Sequence, residues 1–167
     1  MRRHTTFVVA LATALCFGGP SAAEPPPAEH RVLAQEGAPV TIFQYSARYQ
    51  RQGFGSQREG IRHELNYRNT SNRKIVAFRF GLLAFSIFNE FQHSLNGFAI
   101  EDLDAGAVDS GTWLATFARA EAAFYTGVAY VEKVRFEDGE IWTANGDEIQ
   151  DQLQELEGDF SMEALDP

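Results

Sequence analysis

Hydrophobic and polar residues alternate along much of this 167-residue chain with the period of a β-strand. The clearest case is the segment 61–68, whose apolar face is formed by Ile61, His63, Leu65 and Tyr67. Polar or charged residues occupy the positions between them. A period of two over eight residues predicts a strand with one buried face.

A longer apolar run, residues 74–88, has hydrophobic residues on both faces. It predicts a strand at the centre of a sheet that is covered on both sides, and Gly81 within it indicates a bulge or kink. The other strand-like segments are 40–46, 95–100, 110–117 and 128–143. Short strands separated by turn-forming residues predict an all-β fold, an antiparallel immunoglobulin-like β-sandwich.

The Asp-Gly pair at 138–139 lies between two strand-like runs and predicts a two-residue type I′ hairpin. In that register Phe136 pairs with Ile141, and Arg135 pairs with Trp142. A guanidinium group over an indole ring forms a cation–π contact. We therefore include Arg135 and Trp142 among the candidate binding residues.

The acidic C-terminal tail predicts an amphipathic helix. After Arg135 the chain has eleven acidic residues and no basic one. Its apolar stripe, at helical spacing, consists of Ile149, Leu153, Leu156 and Phe160. Asn145 and Asp147 are suitable N-caps, and Gly158 is a suitable stop. We expect the helix to pack on its own domain, near a basic sheet face within residues 48–79, rather than on a partner.

The first 23 residues have the three-part build of a secretory signal peptide: a basic start, an apolar run at 7–17 and small residues up to Ala23. The apolar run is shorter than the roughly 20 residues that span a membrane. We expect cleavage after Ala23 and a periplasmic or secreted protein. A buried N-terminal helix is one alternative, and a lipid anchor at Cys16 is another, although that anchor requires a small residue where Leu15 stands.

Loss of this segment changes the composition of the chain. Two of the 14 Lys and Arg lie in it, so the mature protein carries 12 against 23 Asp and Glu, a net charge of −11 instead of −9. Such a charge argues against broad nucleic-acid binding. Loss of the only cysteine leaves no disulfide and no thiolate metal site, and no motif implies a cofactor.

The mature chain divides into three parts. Residues 24–38 form a proline-rich arm, which we expect to extend away from the domain. Residues 39–144 form the β-sandwich domain, and residues 145–167 form the acidic tail. The middle part is long enough for one domain with a substantial core.

The three histidines of the mature chain have ordinary structural interpretations. His63 lies on an apolar strand face, which is typical of a core residue with one hydrogen bond. His30 follows the proline-rich arm and is expected to be disordered. His93 shares a turn with Glu90, and this spacing in a loop specifies no metal geometry. A non-catalytic protein is expected to keep these histidines apart in the fold.

The acidic turn at Asp102 and Asp104 is similar to the start of a calcium loop. Its glycine comes one position early, and no glutamate stands at the twelfth position, so we interpret it as a solvated turn. The sequence contains no nucleophile elbow, phosphate-binding loop or paired metal motif. We expect no enzyme, no catalytic residue and no metal ligand. The alternative is a small metal-binding protein or hydrolase that uses His63, His93 and nearby carboxylates.

The segment 47–60 is rich in glycine, glutamine and arginine and predicts a long basic loop. Loops held by a rigid sheet often carry binding residues. The candidate binding residues of this loop are Arg51, Phe54 and Arg58.

Residues 61–116 resemble the FxLYD-like immunoglobulin-fold domains of bacterial exported proteins. The shared pattern is a strand that ends in Asn-x-(Ser/Thr), here at 69–71, then a central strand (FGLLAFSIFNE, 80–90), and then an acidic turn with glycine. The residues at 84–86 stand where the family has a Tyr-Asp pair. The resemblance implies a non-catalytic module of immunoglobulin-like fold and carries over no catalytic residues.

We therefore expect an exported, non-catalytic binding or interaction module of the bacterial envelope. Its partner is expected to be a protein or an envelope polymer rather than nucleic acid, and we expect no membrane insertion. The 47–60 loop, a sheet face and the acidic tail are the parts expected to engage that partner.

Overall fold

The computed structural model describes residues 28–50, 58–116 and 124–165. The strands in these parts of the chain are β1 (Glu29–Val32), β2 (Val40–Gln50), β3 (Gly60–Asn69), β4 (Ile75–Ser86), β5 (Phe91–Ala99), β6 (Val108–Ala115), β7 (Phe124–Phe136) and β8 (Ile141–Thr143). An α-helix, α1 (Gly146–Gln154), and a short 3-10 helix (Met162–Leu165) follow. The predicted mostly-β character is confirmed. Among the described residues, no helix is both long and apolar enough to cross a lipid bilayer.

The strands form two sheets that pack face to face. The larger sheet has the order β1-β7-β4-β5, with β8 also paired to β7, and the smaller sheet has the order β2-β3-β6. Strand β1 runs parallel to β7, and the other strand pairs are antiparallel. The parallel pair joins the start of the domain to its last long strand.

The main hydrophobic core lies between the two sheets. The predicted alternation of β3 is confirmed, since Ile61, Leu65 and Tyr67 are buried there against the larger sheet. The ring of Tyr67 lies 4.9 Å from Phe78 and 5.1 Å from Phe80, centroid to centroid. Aromatic pairs at this distance add to the stabilisation from burial.

Strand β4 is central and buried on both faces, as its sequence predicts. One face packs into the main core, and the other contributes Leu83 and Phe85 to a second core under α1. The register against β7 shifts between Arg79 and Phe80, close to the predicted position at Gly81. Gly81 lies against the ring of Tyr130, and a Cβ there would clash with that ring.

The C-terminal tail packs on its own domain. The buried residues of its stripe are Ile149, Leu153, Leu156 and Phe160. Asn145 caps α1, because its Oδ1 accepts the N–H of Asp147 at 3.1 Å. The helix ends at Gln154, before the predicted stop at Gly158, and the last two stripe residues are buried from a non-helical segment. The predicted location near a basic sheet face is wrong, because the tail covers the apolar outer face of β4 and β7.

The prediction of a free N-terminal arm is wrong for its described part. Glu29–Val32 forms β1, which pairs with residues 126–129 of β7. His30 was expected to be disordered, but its Nε2 lies 2.8 Å from the carbonyl oxygen of Ala47. All four residues of this strand are exposed, so its sequence shows no apolar alternation. Backbone pairing to β7 holds the strand in place. Residues 24–27 of the arm and the predicted signal peptide lie outside the described residues.

The predicted register of the β7–β8 hairpin is wrong by one residue. Arg135 pairs with Ile141, and Val134 pairs with Trp142. Trp142 therefore packs against the main core, whereas Arg135 lies on the opposite, outer face of the sheet. With this register, the predicted contact between the guanidinium group of Arg135 and the indole of Trp142 does not form.

The turn itself explains the difference. The N–H of Gly139 donates to the oxygen of Phe136 at 3.0 Å, and the N–H of Phe136 donates to the oxygen of Glu140 at 2.9 Å. Only the glycine has a positive φ, 91°, so the loop has three residues and ends in a left-handed glycine rather than a type I′ turn. The guanidinium group of Arg73 instead lies 3.8 Å over the ring of Phe136.

Candidate functional site

The structure does not bring the sequence-predicted binding residues into one site. Arg51 and Phe54 lie outside the described residues. Arg58 is exposed just before β3, where its carbonyl oxygen accepts a hydrogen bond from Gln50 at 2.9 Å. Arg135 and Trp142 lie on opposite faces of the larger sheet.

The three histidines lie at one level of the two packed sheets. In the larger sheet, His30 pairs with Gly127, Gly127 with Ala84, and Ala84 with His93. His63 faces this row from β3 and is buried. Three non-adjacent strands place the histidines at the same height, and β7 and β4 separate His30 from His93 in the larger sheet. We call His30, Tyr45, His63 and His93 the histidine cluster.

Tyr45 connects His30 and His63 of the histidine cluster. Its hydroxyl oxygen lies 2.8 Å from Nδ1 of His63, and the two rings stack at 6.0 Å. The ring of His30 meets Tyr45 edge-on at 5.9 Å. Burial raises the pKa of Tyr45. Burial, and then the nearby charges of His93 and His30, lower the pKa of His63 to about 4, and burial also lowers the pKa of His93. His63 is therefore neutral near pH 7.

The described residues around the histidine cluster do not complete a metal site. Among the described residues, no three His, Cys, Asp or Glu side chains converge as a metal-binding group. The carboxylate of Asp102, in the turn that is similar to the start of a calcium loop, lies 2.7 Å from Nζ of Lys74. What the cluster can do chemically is take up a proton at low pH.

A second feature is an exposed apolar area on the outer face of the larger sheet. Two cross-strand rows build it, one through Lys133, Arg79 and Phe98 and the other through Ile141, Arg135 and Ala77. Ile100 adjoins them at the end of β5. We call these seven residues the apolar–basic patch.

The apolar–basic patch keeps large hydrophobic side chains in water. Phe98 is 60% exposed, Ile100 87% and Ile141 54%. They border a shallow depression of about 220 Å³. Contiguous exposed apolar surface with a polar rim is typical of an interaction site.

The cations at the rim differ in their partners. Arg79 is paired with Glu132, and its guanidinium group lies 5.6 Å from the ring of Phe98. Lys133 and Arg135 form no ion pair with any other residue that the structure describes.

The nearby carboxylates are paired with other cations. Asp138 and Glu140 bind Arg73 at 2.5 and 2.9 Å, and the hydrogen bond from Arg73 lowers the pKa of Asp138. Lys74 is paired with Glu137 at 3.5 Å and with Asp102 of the acidic turn at 2.7 Å. The rim of the patch is therefore locally positive on a chain whose net charge is −9.

Sequence reasoning missed Phe98, Ile100 and Lys133. A signal was present, since Phe98 and Ile100 are spaced by two and follow polar residues at 94 and 96 on the same face of the strand. Large apolar residues on the otherwise polar face of a strand indicate a surface that something covers. The local sequence does not show that the tail covers only the half of this sheet that contains Leu83 and Phe85.

A third feature is a polar groove on the outer face of the smaller sheet. The side chains that line this groove of about 280 Å³ are Gln44, Ser46, Glu64, Asn66, Ser110 and Thr112. Asn66 Nδ2 donates to Oε1 of Gln44 at 2.6 Å. Glu64 accepts from Arg62 at 2.7 Å and from Arg48 at 3.1 Å, and these hydrogen bonds, chiefly the one from Arg62, lower the pKa of its carboxyl.

Comparisons with known proteins bear on the fold. No family model matches the chain, and no curated protein matches it. The X-ray structure of a hypothetical protein from Peptoclostridium difficile 630 is similar with a TM-score of 0.53 and 10% identity, over 72% of this chain and 92% of that chain. The Northeast Structural Genomics Consortium target SoR45 matches with a TM-score of 0.38 and 11% identity, over 64% of this chain and 80% of that chain. At 10% identity, the first likeness shows the fold alone.

Proposed function

We propose that this protein is an exported, non-catalytic interaction module of the bacterial envelope, and that the apolar–basic patch binds a partner protein. The observation that carries the proposal is the uneven cover of one sheet face. The tail buries the half that contains Leu83 and Phe85, whereas Phe98 and Ile100 on the other half stay in water. A sheet face with an exposed apolar half gains free energy when a second surface covers that half.

The partner follows from the chemistry of the rim. Lys133 and Arg135 alternate along β7, on the same face as the apolar residues. A partner segment with large apolar side chains would cover the exposed apolar residues of the patch. Acidic residues at the edge of that segment would form ion pairs with Lys133 and Arg135. Charge complementarity of this kind raises the association rate and excludes wrong partners. We therefore place an acidic, apolar protein segment on the patch.

The export and the finer fold assignment belong to the same proposal. The basic, apolar and small-residue parts of the first 23 residues support export. The two packed sheets support an immunoglobulin-like arrangement of the domain, together with the resemblance of residues 61–116. The lack of a catalytic motif in the sequence supports a role in binding.

Site-specific photo-crosslinking in the native envelope tests this function. A photoreactive residue at position 100 should capture a defined partner, and Arg135→Glu should reduce that capture about tenfold because it reverses a rim charge. The matched control places the same residue at Phe88, which is 81% exposed in the β4–β5 turn, outside the patch.

The position of the crosslink decides the outcome. Capture at 100 that is absent at 88 and sensitive to the charge reversal supports the proposal. The same set of proteins captured from both positions, with no effect of Arg135→Glu, would rule out the patch as the binding surface.

A further inference from the structure

The outer face of the smaller sheet carries an aromatic ring that a β-bulge turns outward. In β2, Ile42 pairs with Tyr67 and Gln44 pairs with Asn66, so Phe43 has no partner in the ladder. Phe43 and Gln44 are consecutive and both exposed, whereas Ile42 is buried. Bulges re-aim side chains in this way. Phe43 is 54% exposed and directly precedes Gln44, which lines the polar groove.

The lining of the polar groove offers mainly uncharged hydrogen-bonding groups. Within the described residues, Nε2 of Gln44 and Oδ1 of Asn66 remain open after their mutual bond. The hydroxyl groups of Ser46, Ser110 and Thr112 also make no hydrogen bond to a described residue. Amides and hydroxyls can each donate and accept.

The one carboxylate in the groove is neutralised locally. Glu64 is held by Arg48 and Arg62, and both guanidinium groups are engaged by the same carboxylate oxygen. Apart from this Arg48–Glu64–Arg62 group, which carries one net positive charge, the groove presents neutral donors and acceptors.

We propose that the polar groove, with Phe43, binds a neutral oligosaccharide. The C–H face of a pyranose ring is apolar and stacks on an aromatic side chain, while its hydroxyl groups require amides and hydroxyls as partners. The groove crosses β2, β3 and β6. Three strands spaced by about 4.8 Å span roughly 10 Å, the length of two linked hexose rings.

Other ligand classes fit this surface less well. A peptide that adds to a sheet needs an open strand edge, but the groove is centred on β3, which is paired on both sides. Nucleic acid is disfavoured by the net charge of −9. An anionic sugar would have to compete with Glu64 for Arg48 and Arg62, the arginines next to the groove.

This site goes beyond the proposed function and does not depend on it. The groove lies on the outer face of the smaller sheet, and the apolar–basic patch lies on the outer face of the larger sheet. A protein of this shape can hold a polysaccharide on one side and a partner protein on the other.

Calorimetric titration of the whole mature protein with cellotetraose, maltotetraose and N-acetylated chitotetraose tests the inference. At least one of these neutral oligosaccharides should bind. Phe43→Ala should weaken that binding about tenfold, and Phe43→Tyr should retain it, because stacking needs only the ring. Asn66→Ala should weaken it several-fold.

Two controls separate this site from general effects. Phe88→Ala removes a phenyl ring that is even more exposed and lies outside the groove, and Ile100→Ser alters the apolar–basic patch. Both should leave oligosaccharide binding unchanged, with melting temperatures measured for every variant. The inference is overturned if none of the three oligosaccharides binds, or if binding survives Phe43→Ala unchanged in a folded variant.

Discussion

Lowering the pH from about 6.5 to 4 should destabilise the folded protein by about 3 kcal/mol through His63 alone. The pKa of His63 is about 4 in the folded protein, compared with 6.5 for an ordinary histidine. One pKa unit corresponds to about 1.4 kcal/mol. Between these two pH values the unfolded chain binds a proton that the folded chain does not, so stability is lost as the pH falls. Below about pH 4 both states are protonated, and this contribution changes no further.

The surroundings of His63 set the direction of the effect. A proton on His63 would meet no carboxylate within its cluster, only the neutral hydroxyl of Tyr45 and the rings of His30 and His93. Those two histidines add repulsion when they are charged. Since the pKa of His93 is also lowered by burial, its titration acts in the same direction.

Urea unfolding at pH 7, 5.5 and 4 measures this loss, and His63→Gln is the matched variant. Its amide keeps a hydrogen-bonding group for Tyr45 but does not titrate. It should be less stable than the parent at pH 7 and should lose less stability on acidification. Carboxylates titrate in both proteins, so the difference between the two slopes isolates His63. Equal slopes would mean that His63 is not the group that makes the fold acid-sensitive.

The elements that the sequence predicts correctly are those whose signal is local. The alternation from Ile61 to Tyr67 specifies the buried face of β3, because a one-residue slip would expose every apolar side chain. The run at 74–88 specifies a central strand, because both faces need cover. The stripe from Ile149 to Phe160 specifies burial even where the helix has ended.

At the β7–β8 hairpin, the local sequence does not determine the turn type or the strand register. An Asp-Gly pair suits a two-residue turn, and it also suits a three-residue turn whose last residue is a left-handed glycine. The first register would bury Phe136 opposite Ile141. The second register buries Phe136, partly buries Trp142 and leaves Ile141 exposed. The choice depends on the larger sheet, in which Val134 and Trp142 share the core face.

The histidine cluster could not be predicted from the sequence for a related reason. His30, His63 and His93 lie on three strands that are remote in sequence. Only the parallel pairing of β1 with β7 brings His30 to their level. Gly127 is part of this arrangement, since a Cβ there would meet the hydroxyl of Tyr45. Such contacts arise from topology, which no local pattern encodes.

The candidate binding surfaces were predicted only in part. Arg135 belongs to the apolar–basic patch, although the contact that first singled it out is absent. The basic loop at 47–60 remains a prediction for Arg51 and Phe54. The polar groove combines residues from β2, β3 and β6, each of which looks like an ordinary solvated position in its own strand.

Leu153→Ala should lower the free energy of unfolding by about 2–5 kcal/mol. Leu153 is fully buried between α1 and the larger sheet, in the same cluster as Phe85 and Val128. Removal of its side chain leaves a cavity that the rigid sheet cannot close, and the helix is too short to hold its conformation without packing.

The control is Leu165→Ala, which removes the same side chain from a partly buried position in the same cluster. Because the second site is partly solvated, the loss there should be about 1 kcal/mol. Urea unfolding of both variants gives the comparison, and dye binding to exposed apolar surface reports whether the tail has detached from Leu83 and Phe85. If the packing of the tail on the sheet contributed little to stability, both substitutions would lower the free energy of unfolding by the same small amount. A large loss confined to Leu153→Ala would establish that the tail is an integral layer of the domain.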